Sequence, residues 1–195
     1  MTITRRRFKG KYRITSDRLR GWDYGSPGYY FITLCTKNRV PWFGIIRQDQ
    51  LILLRAGEMA AQELIRIPQI RPSIKLDAWV VMPNHIHAVI VMGENNRVEE
   101  ETAEVNVDMS GLCVETPRWG ASTQSRNWKK GTLGAIINQY KSVCTKHIRG
   151  EACADFAWQA GYYDHIIRNE KSLENIRKYI LGNPLKWAED EYFGG

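Results

Sequence analysis

Val80-Val81-Met82-Pro83-Asn84-His85-Ile86-His87-Ala88-Val89-Ile90-Val91-Met92 holds two apolar runs joined at one tight bend. Pro83 has no amide donor, so it belongs at the bend and not within a ladder. The spacing predicts strands over 74–82 and 85–92. In a strand, residues two apart share a face, so His85 and His87 point together while Ile86 points the other way with Ala88 and Ile90. Paired imidazoles on an apolar strand read as a metal or phosphate site, and these two are half of the chain's four histidines.

Outward from this hairpin, Tyr29-Tyr30-Phe31-Ile32-Thr33-Leu34-Cys35-Thr36 is aromatic and β-branched, follows Pro27-Gly28, and ends at the polar turn Lys37-Asn38-Arg39. It reads as the first strand. Residues 40–54 are short apolar pieces broken by Pro41 and Gly44, a small hairpin or loop. Met59, Ala60, Glu63, Leu64 and Ile67 recur near helical spacing, predicting a helix over 57–67 that Pro68 closes. A second helix over 132–148 carries the stripe Leu133, Ile136, Ile137, Tyr140, Val143, Cys144 and Ile148, and Gly150 suits its end. A fourth strand within 156–167 and a terminal helix over 172–181 follow, stopped by Gly182-Asn183-Pro184.

Strand, helix, strand, strand, helix, strand is the α+β, ferredoxin-like βαββαβ order: an antiparallel sheet with two crossover helices on one face, here with a C-terminal helix and a basic N-terminal arm. The expected organisation is an arm over 1–21, one domain over 22–187 and a tail over 188–195. Residues 94–127, polar and without periodicity, read as a flexible excursion.

The chain has 195 residues and a formal charge of +7, from 28 Lys and Arg against 21 Asp and Glu. In the first twenty residues Arg5, Arg6, Arg7, Lys9, Lys11, Arg13, Arg18 and Arg20 face only Asp17. Such an arm suits a polyanion, nucleic acid being the natural one, and equally suits a solubilising tail. No apolar stretch approaches the length that crosses a bilayer, and the arginine-rich start lacks a secretory signal's apolar run, so the chain reads as cytoplasmic with no membrane partner. Cys35, Cys113, Cys144 and Cys153 show no Cys-x-x-Cys pair and read as reduced thiols.

His85 and His87 can hold one divalent ion through neutral nitrogens, and such an ion would polarise a phosphate toward attack. They can also simply hydrogen-bond within the fold or contact phosphate. A phenol is a weak nucleophile at its free pKa, and a polarised phosphate beside a lysine helps it form an ester. Tyr140, on the second helix, is expected to face the imidazoles across the sheet–helix interface. A tyrosine on an apolar stripe is otherwise core. Lys141, Lys146 and Arg149 read as phosphate contacts or as the wet side of that helix.

The run Met82-Pro83-Asn84-His85-Ile86-His87, followed by Leu133-Gly134-Ala135-Ile136-Ile137-Asn138-Gln139-Tyr140-Lys141-Ser142, resembles the HUH single-tyrosine transposases. Similarity to the REP-associated tyrosine transposases extends to Trp158-Gln159, to 162–170 (Tyr-Tyr-Asp-His-Ile-Ile-Arg-Asn-Glu), and to Tyr179-Ile180-Leu181-Gly182-Asn183-Pro184. The resemblance implies a ferredoxin-like endonuclease using Mg²⁺ or Mn²⁺, with His85 and His87 as ligands. Tyr140 would attack single-stranded DNA, leaving a 5′-phosphotyrosyl link and a free 3′-hydroxyl. Hairpin-forming DNA is the implied partner, held in part by Arg5, Arg6, Arg7, Lys9, Lys11 and Arg13, with Trp22, Tyr24 or Trp128 as candidates to stack on bases.

In the insertion-sequence branch a glutamine one helical turn beyond the nucleophile is another metal ligand; after Tyr140 that position holds Cys144, a poor donor for Mg²⁺. Asn138, Gln139, Thr145, water or a distant carboxylate are the substitutes, with Gln159 and His147 as weaker ones. Tyr162 and Tyr163 compete as nucleophiles, and Asp164 and His165 read as structural or DNA-facing. Two other functions suit the same sheet: DNA or RNA binding without chemistry, and a metal-dependent phosphodiesterase using water. Monomer and homodimer are equally open.

Overall fold

A computed structural model describes residues 21–48, 50–94 and 130–189, together with Leu19, Tyr192 and the backbone of two short strands, β1 (Arg7–Phe8) and β2 (Tyr12–Arg13). Arg5, Arg6, Lys9 and Lys11, the side chains of Arg7 and Arg13, Trp128, and nearly all of the 94–127 excursion lie outside the described residues.

The fold is the ferredoxin-like one. β3 (Gly28–Cys35), β6 (Ile74–Val81), β7 (His85–Met92) and β8 (Tyr163–Ile167) form one antiparallel sheet in the order β6-β7-β3-β8. The helices α1 (Arg55–Ile70) and α2 (Leu133–Glu151) cross over between its strands. α3 (Glu170–Gly182) follows β8 and runs into a 3-10 segment over Asn183–Glu189. Residues 40–54 are indeed a hairpin, β4 (Gly44–Arg47) paired with β5 (Gln50–Leu53).

Alternation along the strands divides the core in two. Tyr30, Ile32, Leu34, Ile86, Ala88 and Ile90 pack with Ala60 and Leu64 of α1 and Leu133, Ile137 and Cys144 of α2. Phe31, Ala78 and Val89 pack with Leu173 and Ile180 of α3 on the opposite face. Each fully buried Leu, Ile or Phe contributes about 1.5–3 kcal/mol, so the helices are bound to their respective faces by burial. The crossover helices therefore share one face, and the histidine face belongs to α3.

The elements differ from expectation at their ends. α1 passes through Pro68 because only its last turn lies beyond, where the Arg71 amide still donates to the Ile67 carbonyl at 2.9 Å. Near its start, a Cβ on Gly57 would meet the Phe43 carbonyl oxygen at 2.0 Å, so only glycine lets the helix lie against this strap. Thr132 caps α2 through Ala135 N–H, and Gly150 lies inside that helix. Residues 156–162 are loop, not strand, tied to the end of β3 by Lys37 N–H to Ala157 O (2.8 Å) and Gln159 N–H to Cys35 O (2.9 Å).

Candidate active site

Pro83 and Asn84 make the bend between β6 and β7, closed by Met82 N–H donating to the His85 carbonyl at 2.8 Å. The Asn84 side chain points inward and is 2 % exposed. Its Nδ2 donates to the carbonyls of Arg39 (3.1 Å) and Tyr192 (2.8 Å), which fixes the amide's orientation. Oδ1 is thereby left to accept from His85 Nδ1–H at 2.9 Å. That bond places the free lone pair of His85 on Nε2, which is buried without a hydrogen-bond partner. Burial, and second the nearby Arg39 charge, push the His85 pKa down to about 3, so the ring is neutral.

His87 lies beside it, with ring centroids 4.4 Å apart. Thr33 Oγ1 is 2.9 Å from His87 Nδ1, and the Tyr179 hydroxyl is 3.2 Å from Nε2. Either neutral tautomer satisfies both contacts, since each hydroxyl can donate or accept: with Nδ1–H donating to Thr33 the phenol donates to Nε2, and the other tautomer reverses both. Tyr179 comes from α3 and is 44 % exposed, so its hydroxyl reaches a buried imidazole from a ring open to solvent. Phe31 fixes the neighbourhood, stacked on His87 at 5.3 Å and edge-on to Tyr179 at 6.2 Å. α3 is itself anchored by Arg177, whose Nε and Nη2 grip both oxygens of Asp77 on β6 at 2.7 and 2.6 Å.

The continuation of α3 covers the pair. Asn183 follows Tyr179 by four residues and is 2 % exposed; Trp187 follows by four more and stacks on His85 at 6.0 Å. The Tyr192 ring lies 4.7 Å from His85 and 5.8 Å from His87.

Tyr140 is elsewhere. Its hydroxyl donates to the Ala60 carbonyl at 2.9 Å, inside the packing of α1 against α2. Burial drives its pKa well above the ordinary phenol value, and Cys144 beside it is pushed up to about 12 by the same cause. The sheet separates both from the imidazoles, so the expectation that Tyr140 faces His85 and His87 is corrected: α2 turns its apolar stripe to the Ile86 face. The substitutes on that helix go with it. Gln139 accepts from Arg71 at 2.9 Å, Thr145 donates to the Lys141 carbonyl at 2.7 Å, and His147 meets Glu63 at 3.0 Å.

Two of the three cations on α2 serve the fold. Lys141 Nζ donates to the carbonyls of Gln159 (2.7 Å) and Gly161 (2.8 Å), and burial lowers its pKa to about 8. Arg149 Nε donates to Phe156 O at 2.8 Å, and Lys146 is exposed. Tyr163 and His165 do share the sheet face of His87, but Phe31 stands between Tyr163 and the imidazole, 6.2 Å from the Tyr163 ring. Trp22 donates to the Tyr30 hydroxyl at 3.2 Å and Tyr24 accepts from Leu19 N–H at 3.0 Å, so both have packing roles.

Two adjacent buried imidazoles, one with an unpartnered Nε2, are the kind of nitrogen pair that a small divalent ion takes. Among the described residues, no group of three His, Cys, Asp or Glu side chains gathers anywhere. Also among them, no helix is long and apolar enough to cross a membrane.

No family model matches the chain. An uncharacterized protein of Haemophilus influenzae is 33% identical over 184 residues, covering 94% of this chain and 95% of that protein. The REP-associated tyrosine transposase of Escherichia coli K12 is 25% identical over 164 residues, covering 84% of this chain and 70% of that protein. A solved structure of a REP-associated tyrosine transposase bound to a REP hairpin has the same fold, at a TM-score of 0.52 and 23% identity over 88% of this chain and 74% of that one. The chain is thus similar in sequence to one REP-associated tyrosine transposase and shares the fold of a solved one. Tyr179, the tyrosine whose hydroxyl lies beside His87, is one that sequence patterns alone do not single out. Its signal lies in the tail Tyr179-Ile180-Leu181-Gly182-Asn183-Pro184, which carries the resemblance without setting this tyrosine beside the histidines.

Proposed function

We propose that this protein cleaves and rejoins single-stranded DNA through Tyr179, with His85 and His87 as its metal ligands. The observation that carries the reading is the Tyr179 hydroxyl 3.2 Å from His87 Nε2, beside a His85 whose Nε2 is buried without a partner. Nε2 of each histidine, with the Asn183 amide, would hold Mg²⁺ or Mn²⁺. The ion would draw charge from a nonbridging phosphate oxygen of the bound strand.

The residues themselves supply the rest. Tyr179 Oη attacks phosphorus and gives up its proton to solvent, since the lone pair of His87 Nε2 would be committed to the ion. The new bond joins Oη to phosphorus and the bond to the 3′ oxygen breaks, so a 5′-phosphotyrosyl link remains and the departing 3′ oxygen gains a proton. Attack by a different 3′-hydroxyl reverses these steps and joins strands without nucleotide hydrolysis. Hairpin-bearing DNA is the proposed partner, since one relative is named for REP elements and a solved homologue was bound to a REP hairpin.

A second reading, DNA binding without chemistry, draws on the cover over the site: His85 and His87 are 0 % and 1 % exposed beneath Trp187 and Tyr192. Labelled hairpin oligonucleotides incubated with the protein and Mn²⁺ separate the two. A covalent adduct on a denaturing gel, lost in Tyr179→Phe and in His85→Ala, supports the tyrosine reaction. Binding with no adduct supports the second reading, and a cut without adduct supports attack by water.

A further inference from the structure

We propose that Arg39 grips a backbone phosphate of the single-stranded DNA, in the slot between its guanidinium and His85 that the Tyr192 ring fills. This rests on the reading of the His85–His87–Tyr179 site as a DNA-processing centre and adds the residue that orients the strand there.

Three independent observations converge on Arg39. Its backbone is in the left-handed region at φ 56°, directly after Asn38 at φ 55°. Asparagine tolerates that conformation, arginine seldom adopts it, and two such residues in a row persist only where the surroundings hold them. The surroundings are specific: the single proton of Thr36 Oγ1 is shared between the carbonyls of Val40 (2.8 Å) and Asn84 (3.0 Å), and Asn84 Nδ2 donates to Arg39 O. Asn84 also sets the tautomer of His85, so one amide fixes both the imidazole and the arginine backbone.

The guanidinium then lies 5.3 Å from the centre of the Tyr192 ring, which lies 4.7 Å from His85. A cation and an imidazole thus both border the Tyr192 ring. A guanidinium offers planar, paired N–H donors that match two oxygens of a phosphate, a geometry lysine lacks. Lys37, exposed in the same turn, extends the positive charge along the rim. The Tyr192 ring and an arriving phosphate cannot occupy the slot together. Arg39 is accordingly a positioning residue whose partner is the substrate backbone.

The test uses the full chain with Mn²⁺ and a fluorescein-labelled oligonucleotide pool carrying a hairpin with randomised single-stranded flanks. Affinity is measured by anisotropy across a salt series, and adduct on gels in parallel. Arg39→Gln should weaken binding about tenfold and flatten the slope of log affinity against log salt by roughly 0.7. Arg39→Lys should restore the slope and only part of the affinity, and Tyr192→Ala, which keeps the guanidinium, should bind more tightly than the parent.

Unchanged affinity and slope in Arg39→Gln, with adduct still formed by the parent, would overturn this inference and leave the tyrosine reaction standing. Weaker binding with an unchanged slope would assign Arg39 to a base and also overturn it. The predicted slope change without adduct in any variant would support Arg39 while the tyrosine reading fails. No binding by the parent would overturn both.

Discussion

Asn84 Oδ1 accepts from His85 Nδ1–H at 2.9 Å while its Nδ2 is held by two backbone carbonyls, so one buried amide selects the histidine tautomer that leaves Nε2 free. Partners behind a ligating histidine typically carry about 10–100-fold in metal affinity. Asn84→Ala should lower Mn²⁺ affinity by that order in calorimetric titration. Asn84→Asp keeps the acceptor but loses the donor to Arg39 and Tyr192, and should retain more of the affinity than the alanine variant does.

Tyr140 is a core residue whose hydroxyl donates to Ala60 O. Tyr140→Phe removes that bond while the Ala60 carbonyl, inside α1, keeps its intrahelical donor, a loss of about 0.5–1.5 kcal/mol in urea unfolding. Adduct formation by the folded protein should not change. Loss of adduct at full stability in Tyr140→Phe would contradict the assignment of this residue to the core.

The Asp77–Arg177 pair ties β6 to the helix that carries Tyr179, and the Arg177 hydrogen bonds lower the Asp77 pKa below its ordinary value. A carboxylate whose folded pKa is depressed contributes stability that is fully present above the unfolded value of about 3.9 and is lost as pH falls through the folded value. Thermal stability should therefore drop between pH 5 and the acid limit, roughly, by less in Asp77→Asn than in the parent. An equal drop in both would show that this pair does not hold α3 in place.

Trp187 and Tyr192 lie over His85, which is 0 % exposed. Tyr192→Ala should speed modification of His85 by diethyl pyrocarbonate, located by peptide mass spectrometry, several-fold or more. An unchanged rate would mean that Trp187 alone shields the ring.

Period-two alternation is enough to define the strand of His85 and His87 and the face on which they sit, and the order of elements is enough to define the sheet. The helix pattern alone suggests that Tyr140 faces the imidazoles, although the same alternation argues against it. Both crossover helices bring apolar stripes to one face, and Ile86, Ala88 and Ile90 supply the apolar side, so the imidazoles have to look away from Tyr140 and toward the C-terminal helix. What pattern cannot supply are long-range contacts of single atoms: Asn84 with Arg39 and Tyr192, and Arg177 with Asp77. These join residues that local periodicity treats separately. Pro68 reads as a stop because sequence shows the missing donor but not how little helix follows it.

The most direct measurement is the site of covalent attachment. Protein incubated with Mn²⁺ and the hairpin oligonucleotides would be digested with nuclease and trypsin and the nucleotide-bearing peptide sequenced by mass spectrometry. The account predicts the modification on Tyr179, within peptide 179–186, and its absence in Tyr179→Phe. Modification of Tyr140, within peptide 131–141, would contradict it.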